Sequence, residues 1–306
     1  MMKYKKVVLA GGNGYLGHVL AKHFSPVTEE IVILSRKPQS AQGNIKTMVW
    51  DGKTTGNWIS ALQNADLLVN LCGKNVNCRY TEKNKKEIFN SRLKPTRLLG
   101  KAIEWIKDQP KLWINITSAT IYRHAEDHYQ DELNGEIDTG FSAEVCKAWE
   151  SCFFESITPK TRKIALRMGI VLGKTDGAFP RLLNLVKAGM GGKQGNGQQY
   201  VSWVHEQDVA LSIEWLLKQD KIAGIINCTA PEPVKNDVLM SVIRKTYGIN
   251  FGLPTPVWML TIGAKMIGTE TELILKSRWV KPTILLNSGF EFNYPTIRAA
   301  VEDILK

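Results

Sequence analysis

The sequence predicts a doubly wound α/β fold, a parallel sheet with helices on both faces, joined to a small C-terminal lobe. Three observations predict it. Apolar strand-like segments alternate with helical segments through the first half of the chain, which is the pattern of a parallel sheet. A glycine-rich turn at residues 11–17 separates the first apolar run from the first helix. After Arg167 the chain becomes rich first in glycine and then in proline.

The elements of the first half follow from this alternation. Apolar runs predict strands at residues 5–10, 31–35, 46–50, 66–71, 111–117 and 163–168. The segments between them predict helices near residues 15–24, 57–63, 81–107 and 141–156. Pro95 falls inside the third of these helices, and we expect a kink or break near Lys94 because proline removes a backbone donor.

The second half predicts a smaller lobe. Residues 173–200 are glycine-rich and predict either a mobile loop over a ligand cleft or a poorly packed surface loop. A helix pattern returns at 206–218 and a strand at 225–228. We expect residues 1–170, joined by about 203–228 and 286–306, to form a dinucleotide-binding domain. Residues 171–202 and 229–285 are expected to form a small substrate or lid lobe.

The glycine turn predicts a phosphate site. Gly11, Gly14 and Gly17 permit a tight turn and let the backbone approach a pyrophosphate. Tyr15 and Leu16 begin the following helix, whose N-terminal N–H groups and dipole attract anions. A strand precedes the turn, and a helix and a second strand follow it, which is the context that a dinucleotide site requires. The alternative is a glycine turn that serves strand–helix packing only.

The end of the second strand predicts which dinucleotide binds. An acidic residue there would accept the ribose 2′-hydroxyl of NAD. This chain has Ser35, Arg36 and Lys37 instead, and an arginine can bind a 2′-phosphate through parallel hydrogen bonds. We therefore predict NADP(H); the alternative is a solvated basic turn. Asp51, after the third strand, is a candidate to border the adenine.

Charge and composition argue against other classes of protein. The formal net charge of +11 suits anionic ligands. The cations are spread out with no base-stacking array among them, so we expect no nucleic-acid partner. No apolar run reaches the ~20 residues of a membrane span, and the histidines are poorly spaced for a metal. Five scattered cysteines and the lack of a signal-peptide pattern indicate reduced thiols in the cytoplasm.

Several segments resemble the extended short-chain dehydrogenase/reductase superfamily. The glycine turn is general to it, and so are residues 65–73, whose Leu71, Cys72 and Gly73 the resemblance places beside the cofactor. More narrowly, the chain resembles an atypical branch often labelled epimerase-family or sugar-nucleotide-epimerase-like proteins. The segments that carry this resemblance are residues 80–82, 90–99, 141–150, 167–173, 202–208, 229–234 and 288–295.

The chain departs from the superfamily at its catalytic pair. Members use a Tyr-x-x-x-Lys pair on the helix after the fifth strand, in which the tyrosine transfers a proton and the lysine lowers its pKa. When the pattern is anchored on Glu150, the tyrosine position falls on Ser142 and the lysine position on Cys146. A serine hydroxyl is a far weaker acid than a phenol, and a cysteine carries no positive charge near pH 7. Another group must therefore protonate the substrate.

Three residues are candidates to replace the pair. Ser118 matches the superfamily's substrate-binding hydroxyl, and its alternative role is to cap the end of a strand. Tyr122 is a candidate acid, although a tyrosine there can simply pack. His205 titrates near neutrality, which suits acid–base work, and its alternative is a structural histidine. Arg92 and Arg97 can pair with phosphates or carboxylates or remain solvated cations.

The resemblance implies an NADP(H)-dependent reductase or epimerase-like oxidoreductase that acts on a small polar carbonyl or sugar-type substrate. The alternative is an NADP(H)-binding module without catalysis, which serves as a redox sensor or as the partner of another protein. The missing tyrosine and lysine favour the alternative. Superfamily members often dimerise through the helices near 81–107 and 141–156, so a homodimer is expected by analogy.

Overall fold

A computed structural model describes residues 3–37, 40–268 and 270–306; Met1 and Met2, which open the predicted first domain, lie outside this part. The strands, in chain order, are β1 (Tyr4–Ala10), β2 (Thr28–Ser35), β3 (Ile45–Val49), β4 (Leu67–Asn70), β5 (Leu112–Ser118), β6 (Arg162–Met168), β7 (Ile170–Leu172), β8 (Tyr200–Val201), β9 (Trp203–His205), β10 (Gly224–Cys228) and β11 (Val234–Lys235). The helices are α1 (Tyr15–Phe24), α2 (Glu82–Trp105), α3 (Phe141–Phe154), α4 (Phe179–Lys187), α5 (Glu206–Lys218), α6 (Asn236–Thr246), α7 (Val257–Ile267), α8 (Glu272–Leu275), α9 (Thr283–Asn287) and α10 (Ile297–Leu305).

A parallel sheet forms the centre of the described part of the chain. Its seven strands lie in the order β10-β6-β5-β4-β1-β2-β3. From β1 the chain builds the sheet first in one direction and then in the other, so the order reverses between β1 and β4. The carboxyl ends of these two strands therefore flank the crevice where Rossmann folds bind their ligands. The predicted fold class is confirmed.

The residues of β1 explain why the sheet is buried on both faces. Val7, Val8, Leu9 and Ala10 are fully buried. Successive strand side chains point to opposite faces. Val7 and Leu9 accordingly pack in a cluster with α1 and α5, whereas Val8 and Ala10 pack in a cluster with α2. Because helices cover both faces, the strand is a continuous apolar run rather than an alternating one.

The break expected in α2 near Pro95 does not occur. It runs without interruption through the proline for 24 residues. Beyond the proline, Leu99 and Ile103 are fully buried against the sheet. This burial holds the second half of the helix in place although the proline contributes no backbone donor.

Two other local predictions also differ from the structure. The predicted helix at 57–63 is a 3-10 turn, Asn57–Leu62. The glycine-rich segment 173–200 is not a loop throughout, because it contains α4. This helix begins at Phe179 and Pro180, and a proline in the first turn fits a helix since the first backbone N–H groups have no partner within it.

A third apolar cluster lies outside the central sheet. Most of its buried members come from α4, α6 and α10, and it includes Trp203, one of the largest fully buried side chains. Residues 286–306 divide between the two parts of the molecule: Phe290 packs with the sheet, and α10 packs in the third cluster. The domain boundaries given above remain a prediction.

Within residues 3–37, 40–268 and 270–306, no helix has both the length and the apolar character needed to cross a bilayer.

Candidate functional site

Two adjoining cavities open at the carboxyl ends of β1 and β4. The larger has a volume of about 920 Å³ and extends past the end of β2; we name it the groove. The smaller has a volume of about 470 Å³ and extends past the end of β5; we name it the chamber. Both are lined by Gly11, Gly14, Leu71, Cys72 and Gly73. The glycine turn therefore lies where the two cavities meet.

The glycine turn has the geometry of an anion cradle. Gly11 has a φ of +76°, and a Cβ atom there would lie 2.9 Å from the Cys72 sulfur. A Cβ on Gly17 would lie 2.1 Å from the Gly12 carbonyl oxygen, so α1 can lie this close to the backbone of the turn only with glycine at position 17. Gly14 is the N-cap residue of α1 and provides no side-chain cap. A Cβ atom added at Gly14 would have no neighbouring atom within 4 Å. The helix thus offers uncapped N–H groups to a ligand.

The segment after β2 borders the groove. Arg36 is exposed and lines it, while Lys37 is exposed and does not. The Asn13 amide donates hydrogen bonds to the Ser35 hydroxyl at 2.5 Å and to the Lys37 carbonyl oxygen at 3.2 Å. Asn13 therefore ties the glycine turn to the segment that carries Arg36, a role that the sequence interpretation missed.

Asp51 lines the groove, but its carboxylate is already satisfied. It accepts hydrogen bonds from the backbone N–H groups of Thr54 and Lys53, both at 2.8 Å. These bonds, that of Thr54 first, lower the pKa of the Asp51 carboxyl below its usual value. Asp51 therefore shapes the loop at the end of β3 and keeps an ionised carboxylate at the rim of the groove.

The structure brings together nearly all of the predicted cofactor residues. Eleven of them line one or both cavities: Gly11, Gly14, Tyr15, Leu16, Gly17, Ser35, Arg36, Asp51, Leu71, Cys72 and Gly73. Lys37 lines neither.

The chamber holds the position where the superfamily has its catalytic pair. Ser142 and Cys146 both line it, from the first two turns of α3. Burial raises the pKa of the Cys146 thiol to about 12, so the thiol stays neutral. Ser118 lines the chamber at the end of β5, where its oxygen accepts a hydrogen bond from the Thr120 N–H at 3.2 Å. The Ser118 hydroxyl hydrogen is not used by that bond and can be donated to a ligand.

Tyr122 does not reach the chamber. It is 1% exposed, and its hydroxyl accepts a hydrogen bond from Arg167 at 2.8 Å and donates one to the Asn227 side-chain oxygen at 3.1 Å. Burial raises the pKa of this phenol. Tyr122, the candidate acid predicted from the sequence, is therefore a buried residue beneath the site. Its hydroxyl is fully engaged by two residues that are distant in the sequence.

His205 is also separated from the chamber. It is 1% exposed, caps α5 by accepting a hydrogen bond from the Gln207 N–H at 3.2 Å, and lies against the Tyr294 ring at a centroid distance of 3.8 Å. Burial lowers the pKa of the imidazole to about 4, so it is neutral at pH 7. This placement matches the alternative of a structural histidine.

Tyr80 is the phenol that the sequence interpretation missed. It lies just before α2, lines the chamber, and packs its ring on Phe141 at a centroid distance of 4.7 Å. Burial raises the pKa of Tyr80, and a hydrogen-bonding interaction with the Ser142 hydroxyl opposes the rise. No spacing rule could find this residue, because it lies on a loop; its only signal was its place in the segment 80–82.

Arg92 brings a positive charge to the chamber wall. Its guanidinium donates to the Lys74 and Ile88 carbonyl oxygens at 3.1 and 3.2 Å and lies over the Trp149 ring at 5.2 Å. Of the two roles predicted for Arg92, this half-buried position stacked on the Trp149 ring fits a fixed cation better than a freely solvated one. In the part of the chain that the structure covers, no group of three or more metal-ligating side chains occurs.

Comparisons with known proteins agree with this geometry. Residues 7–229 match the model of the NAD dependent epimerase/dehydratase family, and residues 255–304 match a domain of unknown function, DUF1731. The chain is 28% identical over 303 residues to the human epimerase family protein SDR39U1, covering 98% of this chain and 99% of the relative. It is also 28% identical over 306 residues to the epimerase family protein YfhF of Bacillus subtilis, covering 98% and 97%.

Solved structures match along the whole chain. The crystal structure of human epimerase family protein SDR39U1 (isoform 2) with NADPH has a TM-score of 0.86 and 27% identity, covering 98% of both chains. The crystal structure of the nucleoside-diphosphate sugar epimerase from Corynebacterium glutamicum has a TM-score of 0.79 and 27% identity, covering 99% of this chain and 58% of the other.

Proposed function

Because the chain belongs to the NAD dependent epimerase/dehydratase family, we propose that it is an NADP(H)-dependent oxidoreductase or epimerase-like enzyme acting on a small polar carbonyl or sugar-type substrate. One observation carries the proposal: the groove that fits a dinucleotide opens directly into a chamber of about 470 Å³ lined by hydroxyl groups. A module that only stored the cofactor would not need a second cavity beside it.

The groove has the residues that this cofactor needs. The backbone of residues 11–17 and the start of α1 would hold the pyrophosphate, and Arg36 would pair with the 2′-phosphate. The relative crystallised with NADPH supports this choice of cofactor. When bound, NADPH supplies the hydride that reduces a carbonyl group.

The chamber would hold the substrate. Ser118, whose hydroxyl hydrogen is available, would donate a hydrogen bond to the substrate carbonyl oxygen. Arg92 and Lys74 are the charged side chains among the described chamber-lining residues; Lys74 is paired with the Glu87 carboxylate, so Arg92 supplies the positive charge of the wall. A substrate that carries a phosphate or carboxylate beside its carbonyl group fits this wall best. A nucleoside-diphosphate sugar, named in the description of one solved relative, also carries phosphate groups.

A second candidate is an NADP(H)-binding module without turnover. The replacement of the catalytic pair by Ser142 and Cys146 favours it, because neither side chain transfers a proton readily near neutral pH. The two candidates share the groove and differ in what the chamber does.

Titration calorimetry with NADPH and NADH tests the groove first. The wild-type protein is compared with Arg36→Ala and with Lys37→Ala, a neighbouring exposed cation that does not line the groove. Loss of a charge-assisted hydrogen bond costs roughly 1.5–3 kcal/mol, so we expect Arg36→Ala to weaken NADPH binding about 10- to 100-fold. NADH binding, and both affinities of Lys37→Ala, should stay unchanged. Equal losses in the two variants would contradict the assignment of Arg36.

A substrate screen then separates the two candidates. The absorbance of NADPH is followed with a panel of aldehydes, 2-oxo acids and sugar nucleotides. Oxidation of NADPH by a member of the panel supports the enzyme. Tight binding of NADPH with no oxidation by any member supports the module.

A further inference from the structure

We propose that Tyr80 is the catalytic residue that protonates the substrate oxygen, entering the site from the loop before α2 instead of from α3. The inference rests on the proposed function and deepens it, because it assigns the proton donor that the missing pair leaves open.

The placement of Tyr80 carries the proposal. The superfamily's tyrosine position in this chain is Ser142, and the Tyr80 ring packs on Phe141, the residue directly before Ser142, at a centroid distance of 4.7 Å. Tyr80 and Ser142 both line the chamber, and so does Ser118 at the end of β5. The loop therefore brings a phenol to the place from which the helix has lost one.

The loop holds Tyr80 in a fixed position. The Glu270 carboxylate accepts a hydrogen bond from the Tyr80 backbone N–H at 2.9 Å and pairs with Arg79 at 3.1 Å. On the other side, Thr81 caps α2 by accepting a hydrogen bond from the Asn84 N–H at 3.3 Å. The ring packs on Phe141, one residue before Ser142. A proton donor needs this kind of fixed geometry.

The other tyrosines near the site are less suited to the role. Among the described residues, Tyr15 is the other tyrosine that lines the chamber, and its hydroxyl donates to the Glu206 carboxylate. Its proton is therefore already engaged. Tyr122 is buried away from the chamber on Arg167 and Asn227. Tyr80 combines access to the chamber with a backbone that Glu270 holds in place.

The charges around Tyr80 suit a proton donor rather than a base. Burial raises the pKa of the phenol, and Glu272 and Cys78 raise it further, while Ser142 and Arg278 lower it. The phenol consequently stays protonated at neutral pH. In the superfamily the lysine lowers the tyrosine pKa, but here the lysine position is Cys146, a neutral thiol. Tyr80 is therefore in the protonated form that a proton donor requires.

The proton balance of this step is simple. The carbonyl carbon takes a hydride from NADPH, which becomes NADP⁺. As the O–H bond of Tyr80 breaks, a new O–H bond forms on the substrate oxygen, and the product is an alcohol. The Tyr80 phenolate then takes a proton from water through the open chamber.

The test compares Tyr80→Phe with Tyr122→Phe, since each removes one hydroxyl and keeps its ring. An aromatic 1,2-dione serves as the carbonyl probe, with NADPH binding measured by calorimetry. We expect Tyr80→Phe to bind NADPH like the wild type but to reduce the probe roughly 100- to 10,000-fold more slowly, the usual loss of a matched acid. Tyr122→Phe should keep the rate. A Tyr80→Phe variant within twofold of the wild-type rate overturns the proposal.

A second readout does not depend on turnover. 3-Fluorotyrosine is placed at position 80, and at the exposed Tyr129 as a control. The fluorine NMR signal at position 80 should shift when NADP⁺ is added, whereas the signal at position 129, which does not line the chamber, should not. If position 80 does not respond to bound NADP⁺, the proposal is overturned even if no probe is reduced. Absence of NADPH binding in the wild type would instead contradict the proposed function.

Discussion

The Arg167 guanidinium donates a hydrogen bond to the Tyr122 hydroxyl at 2.8 Å, and both side chains are buried beneath the chamber. The same guanidinium makes two hydrogen bonds to the Glu150 carboxylate, at 2.9 and 2.7 Å. Thr117, which lines the chamber, donates to Glu150 at 3.1 Å. Tyr122 thus belongs to a buried polar network that supports the floor of the chamber.

Removal of the Tyr122 hydroxyl should lower stability and leave ligand binding intact. Tyr122→Phe deprives Arg167 and Asn227 of a partner, and a buried polar group left unsatisfied costs about 1–3 kcal/mol. Urea denaturation measures the loss in the free energy of unfolding. The exposed Tyr129→Phe is the matched control and should stay within about 0.5 kcal/mol of the wild type. Equal stability of the two variants would contradict the structural role of Tyr122.

Thr96 should be a second point of structural sensitivity. Its hydroxyl accepts hydrogen bonds from Asn70 at 3.0 Å and Trp149 at 2.9 Å and donates one to the Arg92 carbonyl oxygen at 2.7 Å. Thr96→Val keeps the shape of the side chain but removes the hydroxyl that these partners bind. We expect the free energy of unfolding to fall by about 1–3 kcal/mol for each donor left unsatisfied. Thr96→Ser keeps the hydroxyl and should recover most of the loss. Thermal and urea unfolding would show whether it does.

His205 should make the protein less stable in mild acid. Its folded-state pKa is about 4, below the ordinary value of 6.5, because burial disfavours the charged form. The unfolded chain therefore binds a proton at a higher pH than the folded one, and stability is lost as the pH falls from about 6.5 to about 4. The loss is at most about 3 kcal/mol, since one pKa unit is worth about 1.4 kcal/mol.

His205→Asn tests this pH dependence, because asparagine caps a helix but does not titrate in this range. The variant should show a smaller decrease in the free energy of unfolding between pH 7 and pH 4 than the wild type. His18→Asn, at an exposed position of α1, controls for the loss of an imidazole. A wild-type slope in His205→Asn would show that other groups cause the acid sensitivity.

Glu270 should act as a positioning residue for Tyr80. Its carboxylate accepts a hydrogen bond from the Tyr80 backbone N–H and forms an ion pair with the Arg79 side chain. Glu270→Ala should therefore slow reduction of the dione probe without changing the NADPH dissociation constant, and Glu270→Gln, which keeps the acceptor for the N–H group, should restore most of the rate. A loss of NADPH affinity equal to the loss of rate would indicate a general disruption of the cleft instead.

The sheet and the residues that line the cavities could be predicted because their signals are local. Val7 to Ala10 form one apolar run, and Gly11 to Gly17 follow it directly, so strand, turn and helix can be read from neighbouring residues. The NADP(H) prediction rested on Arg36, at the end of the next strand, and agrees with the human relative crystallised with NADPH. Eleven of the twelve predicted cofactor residues line the cavities.

The proton donor could not be predicted, because its position depends on distant contacts. Tyr80 is held by Glu270, 190 residues further along the chain. Tyr122 is taken out of the site by Arg167 and Asn227, which lie 45 and 105 residues away. Sequence periodicity carries no information about such pairs, so it does not distinguish a tyrosine that reaches the site from one that is buried beneath it.

A crystal structure of the protein with NADP⁺ and the carbonyl probe tests the central claim most directly. Our account predicts the pyrophosphate on the backbone of residues 11–17, the 2′-phosphate on Arg36, and the nicotinamide ring at the mouth of the chamber. The probe oxygen should lie within hydrogen-bonding distance of Tyr80 and Ser118. A nicotinamide ring turned away from the chamber, or a probe oxygen beyond the reach of Tyr80, would contradict it.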